Sequence, residues 1–388
     1  MEAKVSKLFV RVSLSSRNSK VAWAYTDDHS QWFLISMCVM IPIASQHNLP
    51  LTVQRSKSVA VFYSCVIVIF LITGCTLDSS VLARNYKRWK THIYILCQCF
   101  LTCSALMIGI VSAAGTNRSL DAGVLIGLTV LGTLPTTISS NVVMTAQANG
   151  NQELTLVETT IGNFLGVFTS PALVVMYTTV PTWYNNILPH GSNEAFPPIY
   201  RRVLKQLGLS IYVPLVVGQI IRYFYKPYCD LIFKKYKLNK LGSVAILVIL
   251  WSTYDQAFAT GAFSHINTAS IMFMIFTLIG IWAAWFSLGF GVSVLLRYPR
   301  KDVIAITYCV AAKGPAIGVP LVDRIWETLD LETQSKIQVP IAIYQTMQIA
   351  FGSLMVSLLR RYIEREEVRK EREKIGGDEE SIVDDGRV

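Results

Sequence analysis

A succession of apolar runs, each long enough to cross a bilayer, constrains this chain more than any other feature. They fall at about 31–49, 58–77, 92–114, 120–148, 153–178, 206–224, 241–262, 269–296, 302–326 and 338–358. A helix rises about 1.5 Å per residue, so roughly 20 apolar residues cross the ~30 Å hydrocarbon layer. Lipid offers no partner to a backbone amide, so runs of this length must be helical. The pattern predicts an all-α polytopic membrane protein with ten transmembrane helices. Composition agrees: 52% of the 388 residues are apolar and 15% are charged, against about 25% charged in a soluble domain. That excludes a disordered chain and a nucleic-acid binder, despite a net charge of +10, and argues against a soluble enzyme. No nucleotide-binding, hydrolase or zinc motif is present, so no enzymatic activity is expected. Cys97, Cys99 and Cys103 read as small buried apolar residues rather than a metal site.

The basic residues give an orientation. Ten spans put both termini on one side, where 26 of the 35 Lys and Arg fall, against 8 on the other; Lys313 lies deep in a span. The positive-inside rule then places both termini in the cytoplasm. The expected layout is a cytoplasmic N-terminal tail (1–30), a first five-helix unit (31–179), an extracellular loop (180–205), a second five-helix unit (206–358) and a charged cytoplasmic tail (359–388). The tail continues the last helix as far as Lys374 and is expected to be disordered beyond Gly376-Gly377. Trp32, Trp89, Trp183 and Trp326 read as anchors at the membrane interface.

Corresponding runs in the two halves start about 175–185 residues apart. An odd number of spans per unit inverts the second copy, an arrangement of secondary transporters whose sites lie at the midplane. One run in each half is broken. Residues 135–141 read Pro-Thr-Thr-Ile-Ser-Ser-Asn, too polar for a lipid-facing helix, and Tyr308–Pro320 carries Gly314, Pro315, Gly318 and Pro320. Proline removes a backbone donor and clashes with the preceding turn. Two interruptions at matching positions point to a transport site.

Three charged residues fall well inside the runs: Glu158, Asp255 and Lys313. Each costs roughly 2.5–3.5 kcal/mol at a helix centre and needs a partner or water. Thr155, Glu158, Thr159 and Asn163 share one helix face, a set of hard oxygen donors suited to sodium or calcium. Alternatively, Glu158 sits hydrated near the cytoplasmic mouth, and Asp255 is a packed helix-end residue. Lys313 is expected to pair with Glu158, with Asp255 as the next partner. Ser140 and Asn141 offer two side-chain oxygens at the first break. The candidate ion- or substrate-binding residues are Ser140, Asn141, Thr155, Glu158, Thr159, Lys313 and Asp255.

Several strings resemble the bile acid:sodium symporter family, solute carrier family 10. They are Ser139-Ser140-Asn141-Val142-Val143, Gly162-Asn163-Phe164-Leu165-Gly166, Val213 to Arg222, Asp255 in its aromatic setting, Gly318-Val319-Pro320 and Ile343-Tyr344-Gln345. The resemblance runs from about Gln31 to Ser357 and is nearest to the member-seven branch and its fungal relatives, regulators of calcium homeostasis. It implies two inverted five-helix repeats whose helices 4 and 9 are broken and cross. It also implies a bound sodium at Ser140, Asn141, Thr155 and Thr159. Sodium-coupled members carry a glutamate on helix 9 that Tyr308–Lys313 lacks, which puts a second sodium in doubt.

The expected function is control of cytosolic calcium by limiting its influx at the plasma membrane; a Golgi or other secretory-pathway membrane is the alternative address. Expected partners are the lipid bilayer and an unidentified small solute or cation, with a calcium channel as a candidate. The alternative function is sodium-coupled transport of an organic anion.

Overall fold

A computed structural model describes residues 32–77, 87–188, 196–236, 238 and 240–384. The N-terminal tail 1–30, most of the basic loop 78–91, residues 189–195 of the outer loop and the last four residues lie outside the described residues. Among the described residues the chain is helical, with no strand. The helices are α1 (Trp32–Gln46), α2 (Leu51–Thr76), α3 (Trp89–Ala114), α4 (Ala122–Thr133), α5 (Ser140–Gln147) and α6 (Gln152–Thr178). They continue with α7 (Phe196–Cys229), α8 (Lys240–Ala259), α9 (Thr268–Leu295), α10 (Arg300–Ala311), α11 (Pro315–Ile325) and α12 (Leu331–Asp384). Eight segments, with α10 and α11 taken together, are long and apolar enough to cross a membrane. α1 and α4 are shorter apolar helices. The chain is a multi-pass membrane protein.

Capping residues fix several starts. The side chains of Asp121, Asn151 and Asn267 accept from Val124 N, Leu154 N and Ser270 N, opening α4, α6 and α9. Each satisfies one of the amides that a first turn leaves free.

The most extensive packing falls in two sets of helices, which also touch one another through α8 and α12 and through α7 with α6 and α11. α2 lies against α7 and α8, while α4 packs on α3 and α12, and α9 on α10. The α2–α7 contact is intimate: a Cβ on Gly74 would sit 2.4 Å from the Leu215 carbonyl, and one on Gly218 would sit 2.5 Å from that of Leu71. From α7, Gln219 donates to the Gly74 and Leu77 carbonyls and Arg222 to that of Cys75. These bonds close the α2 C-terminus, whose last carbonyls have no partner in the helix itself. Residues 302–322 of the α10–α11 segment are buried and form the centre of the second set.

Four expectations need correction. α2 begins at Leu51, not near 58, so Arg55 and Lys57 belong to a helix rather than to an outer loop. Residues 196–205 of the outer loop are already helical. α12 runs through Gly376-Gly377 to Asp384; the pair Arg360–Glu364, one turn apart at 3.3 Å, favours the helix where the tail begins. Trp326 is not an interface anchor but is buried, 5% exposed.

Candidate functional site

The two interrupted spans owe their breaks to proline. Leu134, which precedes Pro135, is extended at φ −72°, ψ 148°, and Gly314, which precedes Pro315, is extended at φ −97°, ψ 118°. The proline ring excludes its predecessor from the helical region, while Pro315 itself suits the first position of α11. The segments between the half-helices touch: Gly314 N donates to Pro135 O at 2.9 Å. A Cβ on Gly314 would lie 3.3 Å from Thr137 Cα, a tight contact, so the backbones of the two breaks approach closely.

Four successive carbonyls at the first break find four different donors. Ser170 Oγ donates to Thr133 O at 2.7 Å, and Lys313 Nζ to Leu134 O at 2.9 Å. Gly314 N donates to Pro135 O, and Asn163 Nδ2 to Thr136 O at 3.0 Å. Non-helical backbone is tolerated at membrane depth only when it is satisfied in this way. The second break is held from α12. Gln348 accepts from Lys313 N at 2.7 Å and donates to Lys313 O at 2.8 Å, and Tyr344 OH donates to Ala311 O at 2.6 Å.

Beside this junction lies a buried polar cluster. Asn141 Nδ2 donates to Thr136 Oγ1 at 2.9 Å and to Thr159 Oγ1 at 3.0 Å, with Cys309 Sγ at 3.9 Å. Thr155 Oγ1 donates to Thr145 Oγ1 at 3.1 Å. Asn141, Thr155 and Thr159 are all at most 1% exposed. Ser140 is not part of this cluster. It is only half-buried, its hydroxyl is 3.5 Å from that of Thr137, and it lines a cleft with Ser139, Gln345, Trp32, Ser243 and Ile246. Consecutive residues on a helix project about 100° apart, so the Ser-Asn pair divides between cluster and cleft. The cleft is lined by residues of α1, α5, α8 and α12, with about 50 Å³ open to water.

The charged candidates do not pair as expected. Lys313 is bonded to backbone carbonyls, including Cys99 O at 2.8 Å, and not to Glu158. Glu158 Oε1 instead meets His92 Nδ1. His92 and Cys99 are both on α3, seven residues and about 10 Å apart along the axis, which separates the two charges. Glu158 Oε2 is buried with no hydrogen-bond partner among the described residues. Nearby, Asp302 receives Arg88 at 2.5 Å and Asn151 at 2.7 Å. Asp255 is packed, fully buried four residues before the end of α8, and is not a partner of Lys313. Lys57 reaches its Oδ2 at 2.5 Å, Gln54 the same oxygen at 2.8 Å and Leu49 N its Oδ1 at 3.0 Å. Other charges buried within the bounds of candidate spans are Lys57, 7% exposed at its side chain, Arg222 and Asp302.

Sequence reasoning missed His92, Lys57 and Gln348, and named Tyr344 only within a matched string, without a role. Gln345 and Gln348, one turn apart in an otherwise apolar stretch, were a usable signal, because a polar residue in a span faces the protein interior. The π turn at Gln98–Thr102, where Cys103 N bonds to Gln98 O, has no recognisable sequence mark.

Two broken helices hydrogen-bonded to one another, with buried amide and hydroxyl groups at their junction, are the architecture of a membrane solute carrier. Residues 31–361 match the SBF-like CPA transporter family, and the chain belongs to that family. It is 35% identical to Solute carrier RCH1 of Candida albicans over 91% of this chain and 92% of that protein. It is 33% identical to Solute carrier RCH1 of Saccharomyces cerevisiae over 87% and 85%. Sodium/bile acid cotransporter 7 of Rattus norvegicus is more distant, at 25% over 86% and 93%.

Proposed function

We propose that this chain is a ten-span solute carrier, built as two inverted five-helix repeats with both termini in the cytoplasm, that restrains calcium entry at the plasma membrane. The observation that carries the carrier reading is the junction of the two breaks, where Gly314 N meets Pro135 O beside the Asn141–Thr159 contact. Counting α4 with α5 and α10 with α11 gives the ten spans, and the excess of basic residues on one side supports the orientation. The similarity to the fungal solute carriers supports the carrier reading, and the strings that resemble the calcium-regulating branch support calcium as the quantity controlled. The test is radioactive calcium uptake in cells that lack or carry the protein, at high and low sodium. Greater uptake without the protein, reversed by re-expression, is expected at both sodium levels. Equal uptake in the two cell lines overturns the reading.

A second reading, sodium-coupled transport of an organic anion, is favoured by one feature. The cleft sets the polar groups Ser139, Ser140 and Gln345 beside the apolar Trp32, Phe33 and Ile349, which suits an amphipathic solute. Sodium would bind in the oxygen-rich cluster of Asn141, Thr155 and Thr159. Sodium-dependent accumulation of such an anion, with calcium uptake unchanged, selects this reading. If the effect on calcium appears only in cells that express a calcium channel, and that channel co-purifies with the chain, the protein acts on calcium through that partner.

A further inference from the structure

One buried cation stands apart from the polar cluster. Lys313 is 1% exposed and among the largest fully buried side chains. Its Nζ lies 2.8 Å from Cys99 O, 2.9 Å from Leu134 O and 3.3 Å from Cys99 Sγ. The Trp285 ring centroid is 5.1 Å away. These groups come from three elements: the π turn of α3, the first break and α9. Among the described residues no carboxylate reaches the ammonium. A buried cation without a counter-charge persists only where dipoles replace its water. Backbone carbonyls do this for monovalent cations in channel filters, and an aromatic face adds to it. The root of the side chain is equally fixed, since Gln348 holds both Lys313 N and Lys313 O.

We propose that the Cys99 and Leu134 carbonyls and the Trp285 ring form a site for a small monovalent cation of the ammonium class, and that Lys313 fills it as a covalently tethered occupant. The tether joins the two helix breaks through Leu134, so their junction forms without a cation taken from solution. This holds whichever solute or ion the protein handles.

The test is the thermal unfolding of purified full-length protein in detergent, in choline chloride or methylammonium chloride of equal concentration. The wild-type midpoint is expected to be the same in both salts. Lys313→Ala empties the cradle, and its midpoint in choline should fall by about 5 °C or more. Methylammonium fits the vacated space and choline does not, so methylammonium should recover at least about half of the loss and recover more as its concentration rises. A variant as stable as wild type, or one that methylammonium does not restore, overturns the proposal. If Lys313→Ala fails to accumulate, Lys313→Met fills the same space without the charge and takes the same measurement. Its midpoint should be lowered equally in both salts. A midpoint at or above wild type identifies an ordinary buried charge, whose apolar replacement is neutral or stabilising, and ends the cradle reading.

Discussion

Gly314 N donates to Pro135 O across 2.9 Å, so the two interrupted helices are joined backbone to backbone. Among substitutions only a proline at 314, which has no N–H, removes that bond directly, but the packing around it can be displaced. The steric room at individual glycines tells which positions matter.

Gly127 and Gly109 are a matched pair for this purpose. A Cβ on Gly127 would sit 2.3 Å from Ile337 O, whereas one on Gly109 meets nothing within 4 Å. Gly127→Ala must push α4 off α12 and should lower the unfolding midpoint or abolish accumulation. Gly109→Ala should be neutral or stabilise by up to about 1 kcal/mol through helix propensity. Thermal unfolding of the two purified variants decides, and equal midpoints would contradict the close α4–α12 approach.

Lys57 and Asp255 form a buried pair at 2.5 Å. Removing one partner leaves an uncompensated charge, which typically costs about 3–5 kcal/mol. Lys57→Met and Asp255→Asn should each reduce folded protein sharply, and the double variant should exceed both. Fluorescence-detected size exclusion of the four forms measures this. Simple additivity would mean that the two side chains are uncoupled.

Glu158 and Lys313 lie two turns of α3 apart, on different partners. The effects of Glu158→Ala and Lys313→Ala on the unfolding midpoint should therefore add to within about 0.5 kcal/mol in a double-mutant cycle. Glu158→Gln retains a group that can bond His92 and should be milder than Glu158→Ala. A double variant healthier than either single one would restore the direct pairing that the structure denies.

Ser140 and Asn141 should separate in their effects. Asn141→Ala removes the donor to Thr136 and Thr159 and leaves buried hydroxyls short of a partner, a loss of about 1–3 kcal/mol in stability. Ser140→Ala removes only a 3.5 Å contact and should leave the unfolding midpoint within about 0.5 kcal/mol of wild type. If Ser140 contributes to function, calcium uptake will respond while stability does not. Matching losses of stability in the two variants would refute the division between cluster and cleft.

The orientation is open to a direct check. Tags placed within residues 1–30 and after Ile375 should resist protease on intact cells, and a tag within 185–195 should be cleaved. The asymmetry of 26 against 8 basic residues is the basis. Cleavage of the C-terminal tag on sealed cells would reverse the assignment.

The sequence revealed the helical class because apolar length is a local property, readable run by run. It also revealed the two breaks, because Pro135 and Pro315 act on their immediate neighbours. It failed at the charges, and the failures share a cause. Lys57 was placed in a loop because Gln54, Arg55 and Lys57 interrupt the apolar pattern near the start of α2, yet Asp255 on α8 draws it into the protein. Lys313 seemed to need a carboxylate because sequence shows side chains, whereas its actual partners are main-chain oxygens freed by a π turn and a break. Ser170 looks unremarkable until the carbonyl of Thr133 appears beside it, and Asn163, read as an oxygen donor on its helix face, in fact donates to the Thr136 carbonyl. Partner choice in a bundle depends on which helices are adjacent, and hydropathy does not encode that.

The π turn at Gln98–Thr102 sets the angular phase of α3. It closes a wider loop than the α-helical turn it replaces, so one extra residue is taken up and the helix before it is rotated by about 100° relative to the helix after it. The earlier part aims His92 at Glu158, and the later part seats Met107 against Gly132. A regular helix one residue shorter could keep one of these registrations but not both. Single-residue deletions across 98–102 should thus be far more disruptive than their apolar surroundings suggest, and a chain of this kind cannot drift in length there without re-aiming half of a membrane span.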